Sequence, residues 1–373
     1  MIIAGFTVNA PPAIAVTPAD WPGGYWWHWL FFTVVLIAFV LVMVMGAIYI
    51  ERRAMGKMQY RLGPNRTGPF GLLQPVADAL KVLIKENIVP GVADKVVHFL
   101  APIVAFAPVV MIFAVMPFQN GALLTDLNIG ILYIVAVSSV TTVGVFMAGW
   151  GSSNKYSLLG AMRNVAAVVS YEIPLILAII GVVLVAGSLS MNQIVLAQDI
   201  PFILVQPLGF LLFFAAACAE INRSPFDLTE ADSELTAGFH TEYSGMKFAM
   251  FYLVEYAEAI AMSAIITTLF LSGWRGPWLP PWLWFIIKTL IVFFVMVWTR
   301  TTFPRVRIDQ LMALAWKFLF PLAVINLFIT AIQVLAWSDV VSWLTVVVNI
   351  AITVVLVLIW SKFFKLGWGR VEV

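Results

Sequence analysis

Stretches of about 20 apolar residues recur along this chain, and they constrain its fold more than any other feature. They run over 29–50, 99–118, 131–150, 165–187, 203–221, 247–272, 281–299, 316–336 and 340–360. Each is long enough to cross the hydrocarbon of a bilayer as a helix. A helix is the form that satisfies every backbone amide within a single crossing segment. The alternating pattern of roughly ten residues that marks a membrane barrel is absent. Composition agrees, with 62% hydrophobic and 11% charged residues, against about 25% charged in soluble domains. The expected architecture is all-α: one polytopic transmembrane domain, residues 1–373, of about nine spans.

The charges orient it. Of the 21 Lys and Arg, all except Arg275 and Lys288 fall on one set of alternating loops or on the tail. The positive-inside rule then puts the N-terminus outside and the C-terminus in the cytoplasm, which requires an odd number of spans. Residues 1–28 form a Pro-rich outer segment, and Trp21, Trp26, Trp27 and Trp29 crowd its end as an interfacial aromatic belt. That segment has no Lys or Arg, which argues against a cleaved signal peptide. The long inner loop, 51–98, contains Gly63-Pro64-Asn65 and Gly68-Pro69 turn signals. From Pro75 onward, Val76, Leu80, Leu83 and Ile84 share one face, as in a helix lying in the membrane plane. Two further inner loops follow, an acidic one at 222–246 and a basic one at 300–315. The last span, 340–360, carries no charge and reads as lipid-facing packing.

Several chemistries have no support in the sequence. The single cysteine, Cys218, cannot supply the four ligands of an iron–sulfur cluster. His28, His98 and His240 are far apart and show no ligand spacing, so no metal site is expected. Phosphate-binding glycine motifs are missing, and nucleic acid is not among the expected partners.

Acidic residues concentrate between 219 and 258: Glu220, Asp227, Glu230, Asp232, Glu234, Glu242, Glu255 and Glu258. Glu255 and Glu258 fall inside an apolar span, where an ionisable group costs about 2.5–3.5 kcal/mol and usually marks an ion or substrate path. Their i,i+3 spacing makes them neighbours on one helix face. Two ionised carboxylates there would repel, so one is expected to hold its proton. Tyr252 and Tyr256 offer hydroxyls on adjacent turns, and Lys288 in the next span is a candidate counter-charge. Glu172 is expected about eight residues in from the cytoplasmic end of its span, beside Pro174, which removes a backbone donor and disturbs the turn.

The inner loops, taken in order, resemble those of one family. The stretches ERRAMGKMQYRLGPNRTGPFGLLQPVADALKVLIKE, SNKYSLLGAMR, YEIPL, AEINRSPFDLTEADSELTAGFHTEYSGMKF, EYAE and RTTFPRVRIDQLMALAWK cover the chain from about 51 to 320. They are similar to the H subunit of proton-translocating NADH:quinone oxidoreductase, respiratory complex I. The resemblance implies a subunit at the heel of the membrane arm, in the cell (inner or plasma) membrane, with no complete active site of its own. Quinone would be its substrate. FMN and iron–sulfur clusters would be carried by partner subunits of the peripheral arm, and antiporter-like and small membrane subunits would be its other neighbours, with lipid around them. It implies a quinone chamber involving Glu51, Arg52, Arg61, Asp227, Glu230, Glu234, Arg300 and Arg305. It implies proton coupling through Glu172, Glu220 and Glu255. Glu258, Glu242, Tyr256 and Lys288 join that set by their positions in the sequence. Glu258 departs from the family's acid set and rests only on its distance from Glu255.

The expected mechanism is electrostatic: reduction of quinone changes the charge felt by the acidic loop and shifts protonation along the buried carboxyls. Two other readings stand beside it. One is the equivalent subunit of a related ion-pumping complex fed by ferredoxin or hydrogenase. The other is a stand-alone secondary transporter, which intramembrane acids suit but which the docking-type inner loops and the absence of an internal repeat disfavour.

Overall fold

The computed structural model describes residues 26–120, 125–223, 225–227, 237–337 and 341–363. Glu230, Asp232, Glu234 and Asp339 lie outside them. Helices make up about three quarters of the described chain: α1 Trp26–Met58, α2 Gln74–Ile84, α3 Lys95–Phe113, α4 Gly130–Gly151, α5 Lys155–Ala186, α6 Met191–Leu196, α7 Phe202–Val205, α8 Pro207–Glu220, α9 Gly245–Phe270, α10 Pro281–Thr302, α11 Ile308–Ala336 and α12 Trp343–Phe363. Among the described residues there is no strand.

Eight of these helices are long and apolar enough to cross a membrane. The fifth expected span, 203–221, is not one continuous helix. It breaks at Gln206, whose backbone is non-helical (φ −129°, ψ 63°) and is followed by Pro207. The 14 residues of α8 extend about 21 Å, short of a bilayer's apolar thickness, and α7 makes up part of the rest.

Contacts between helix ends sort the loops onto two faces. At one face the Asp94 amide bonds the Gly151 carbonyl at 3.0 Å, joining the start of α3 to the end of α4. There too Asn154, at the start of α5, donates to Glu242 at 2.6 Å, just before α9. At the opposite face the Ile131 amide bonds the Leu189 carbonyl at 3.1 Å, Gln198 donates to the Thr268 carbonyl at 2.8 Å, and Arg275 donates to the Gln198 carbonyl at 2.9 Å. The segment α6–α7 therefore starts from the second face, and α8 returns the chain to the first. The chain passes between the faces in the order the apolar stretches anticipate.

Local signals set the helix ends. Asp94 caps α3 by accepting from the Val96 amide at 3.0 Å, and Asn154 caps α5 by accepting from Tyr156, the usual service of a short polar side chain to orphan amides. α5 ends at Gly187 in the left-handed region, φ 68°. Several helices begin earlier than hydropathy indicates. α5 starts at Lys155, so Glu172 sits past the middle of a 32-residue helix rather than near one end. α1 runs on to Met58, so Glu51, Arg52 and Arg53 are helical and not the opening of a loop.

α9 is the central helix, packed by α1, α3, α8 and α10, with every residue from Ala259 to Phe270 buried. α3 and α4 pack closest. A side chain at Gly144 would meet the Ala105 backbone at 2.7–2.8 Å, so only glycine permits that approach. α12 is more than lipid-facing packing. Asn349 is buried and donates to the Val205 carbonyl at 2.6 Å, the carbonyl at the break between α7 and α8. Asn349 and Gln333 of α11 exchange bonds of 2.5 and 3.2 Å.

Candidate functional site: a buried charge cluster beside an open cavity

Successive helical residues point about 100° apart, and the Glu51-Arg52-Arg53 triplet shows the consequence. Glu51 points inward and is fully buried. Arg52 turns to Asp78 of α2 in an ion pair of 2.5 Å. Arg53 donates to the Phe70 carbonyl at 2.5 Å, and Tyr49 donates to the same oxygen at 3.1 Å. The three side chains thereby fasten the core, α2 and the Gly/Pro turn to one helix end. The turn folds back closely: a Cβ at Gly56 would lie 2.9 Å from the Gly63 nitrogen.

Glu51 is met by two guanidinium groups. Arg223, just past the end of α8, donates to both carboxylate oxygens at 2.8 and 2.9 Å. Arg300, in the last turn of α10, donates at 2.5 Å. Arg223 Nε also stands 3.3 Å from Glu255 of α9, and its guanidinium lies over the Tyr256 ring at 4.3 Å. Burial by itself would lower the Arg223 pKa, but the Glu255 and Glu51 carboxylates more than offset this and hold it above its ordinary value. Two arginines and two carboxyl groups thus share one interior site. Such groups tolerate burial only when paired, because desolvating an ion costs several kcal/mol.

The cluster opens on a cavity of about 530 Å³. Glu51, Arg300, Arg52, Arg61, Tyr252 and Tyr256 are among the residues that line it. The two tyrosine hydroxyls face each other at 3.2 Å. The volume suits a ring-sized ligand, and the wall offers phenol and guanidinium donors.

The other sequence-expected residues separate into groups. Asp227 pairs with Arg305 at 3.2 Å. Glu220 and Glu258 line a second, smaller cavity deeper in the bundle, and Glu172 is close enough to Glu220 to act on its charge. Glu255 and Glu258 share the wall of a third cavity. Two expected pairings are corrected. Lys288 is not the counter-charge of Glu255. Its Nζ donates to the carbonyls of Leu271, Gly273 and Arg275 at 2.7, 3.1 and 2.6 Å, closing the far end of α9. Glu255 has Arg223 instead. Tyr256 stacks under Arg223 rather than serving as a hydroxyl for the acids. Glu242 lines none of these cavities and is held by Asn154.

Sequence reasoning left Arg223 as one loop charge among many, although it is the centre of the cluster. The signal was a lone arginine within an acid-rich stretch. Asp78, Thr141 and Asn164 were also missed. Thr141 and Asn164 are neutral and carry no charge signal in an apolar run.

Fold and site together define a class: an integral membrane protein of helical spans that keeps paired charges in its interior beside a ligand-sized cavity. Comparison with known proteins narrows the class. The family model described as NADH dehydrogenase matches residues 31–331. A protein of Dehalococcoides mccartyi (strain CBDB1), named as the H subunit of NADH-quinone oxidoreductase, is 62% identical over 349 residues, 94% of this chain and 99% of the relative. One of the same name from Geobacillus kaustophilus (strain HTA426) is 53% identical over 308 residues, 81% of this chain and 92% of the relative. Another, from Bacillus mycoides (strain KBAB4), is 50% identical over 322 residues, 85% of this chain and 96% of the relative. The chain belongs to the NADH dehydrogenase family, as the inner-loop motifs anticipated. α12 lies beyond the matched residues.

Proposed function

We propose that this chain is the H subunit, at the heel of the membrane arm, of a proton-pumping NADH-quinone oxidoreductase of the cell membrane, where it forms much of the quinone chamber and passes the consequence of quinone reduction to buried carboxyls. The observation that carries this reading is the sharing of Glu51 and Arg300 between the 530 Å³ cavity and the buried ion cluster. In this reading the N-terminus is outside, and the face carrying Glu51, Arg223 and Arg300 meets the peripheral-arm subunits in the cytoplasm. Antiporter-like and small membrane subunits adjoin the bundle laterally. The exposed apolar face of α2, with Leu80, Leu83 and Ile84, lies toward lipid, the source of the quinone.

The quinone takes up two electrons, delivered from the iron–sulfur subunits of the peripheral arm, and two protons to become the hydroquinone. This chain's residues hold the head group and respond to its charge. Tyr252, Tyr256 and Arg61 line the cavity and offer donors to the carbonyl oxygens of the ring. A unit negative charge about 8 Å from Glu51, at an effective dielectric near 20, acts on the cluster with roughly 2 kcal/mol. That is a bias of roughly thirtyfold on a protonation equilibrium. The Glu51–Arg223–Glu255 pairing carries the bias from the cavity wall into α9, and Glu258, Glu220 and Glu172 continue it inward.

A photoreactive quinone analogue, applied to the assembled complex, tests the reading. Labelling of peptides containing 51–64 and 252–256, competed away by natural quinone, is expected. Labelling confined to other subunits or to other helices of this chain would contradict it.

A further inference from the structure

Two small cavities meet at Glu258. One, of about 50 Å³, reaches Glu255. The other, of about 30 Å³, reaches Glu220. Both are walled by Thr141 of α4 and Asn164 of α5. Each exceeds the ~10–15 Å³ that one water centre needs. Asn164 is 2% exposed. Among the described residues, its Oδ1 and the Glu220 Oε2 have no hydrogen-bond partner. Buried polar atoms in native interiors are almost always bonded to protein or to water, and a water is held where two to four polar groups converge. Here Asn164 Oδ1, Glu220, the Glu258 carboxyl and the Thr141 hydroxyl beside it converge.

We propose that Thr141 and Asn164 hold ordered water between Glu258 and Glu220, completing a relay that neither carboxyl pair makes alone. The inference rests on the coupling role given above to Glu255 and extends it to two neutral residues. The step balances as a proton hop: the water receives a proton from the Glu258 carboxyl and releases one to the Glu220 carboxylate, so one proton moves and water is regenerated. Asn164, whose amide neither gains nor loses a proton, is a positioning residue. Thr141, both donor and acceptor, orients the water and the Glu258 carboxyl. The apolar walls, Val145 and Val168, keep the passage narrow.

The test uses the assembled complex in vesicles, with Thr141→Val and Asn164→Leu chosen to keep side-chain volume while removing the polar atom. The expected result is a fall of at least fivefold in protons moved per electron, a larger solvent isotope effect in D2O, and near-normal pumping in Thr141→Ser. A high-resolution map should show solvent within hydrogen-bond distance of Asn164 Oδ1 and Glu220 Oε2. Normal pumping by the double variant, in a preparation where Glu255→Gln is impaired, would overturn the proposal, as would dry cavities in the map. If Glu255→Gln itself pumps normally, the coupling reading fails, and the solvent density alone decides whether water occupies this site.

Discussion

Arg223 grips both oxygens of Glu51, at 2.8 and 2.9 Å, although 172 residues separate them in the chain. The pair joins the end of α1 to the end of α8, and through Glu255 to α9. Removing one partner strands the other's charge in the interior, at about 3–5 kcal/mol. Arg223→Met is therefore expected to reduce the amount of assembled complex and to lower its thermal transition. Quantitative native electrophoresis and a melting curve measure both. Arg223→Met combined with Glu255→Met, which leaves Glu51 paired with Arg300, should recover part of the loss.

The tyrosine pair makes a subtler prediction. Tyr252→Phe removes one hydroxyl from the cavity wall and leaves the other without its 3.2 Å partner. A neutral hydrogen bond contributes about 0.5–1.5 kcal/mol, so the KM for quinone should rise a few-fold while assembly is unchanged. Steady-state quinone reduction against quinone concentration gives the answer.

Lys288 separates a structural cation from a functional one. Its three carbonyl acceptors close the end of α9 distant from Glu255. Lys288→Leu leaves those carbonyls short of a donor, at about 1–3 kcal/mol. The thermal transition should drop, while quinone reduction and pumping per assembled complex stay near normal. A selective loss of pumping would restore the counter-charge role that the sequence suggested.

At the far side of the bundle, Asn349→Leu withdraws the donor that covers the Val205 carbonyl at the helix break. Polar contacts between membrane helices contribute about 0.6–2 kcal/mol. The variant should melt a few degrees lower in mild detergent, with α12 more open to protease. Equal melting would reduce α12 to apolar packing.

The membrane spans were legible because insertion depends on summed hydropathy, which any reader of the chain can count. The break at Gln206 was not, since one glutamine and one proline barely alter the average of an otherwise apolar run. The early start of α5 was hidden for the opposite reason: Lys155, Tyr156 and Ser157 read as loop by polarity, yet Asn154 caps them into helix. The acids announced themselves, because charge in hydrocarbon is conspicuous. Their partners did not. Nothing in the chain says that Arg223 and not Lys288 meets Glu255, because that choice is made by which helix ends share a face.

The central claim is that charge generated in the cavity reaches the pump through Glu255. Glu255→Gln keeps the side chain's shape and removes its ability to carry a charge or a proton. In an assembled complex reconstituted into sealed vesicles, protons translocated per electron should fall at least fivefold, with NADH-to-quinone electron flow still measurable. An unchanged ratio at normal assembly would contradict the account.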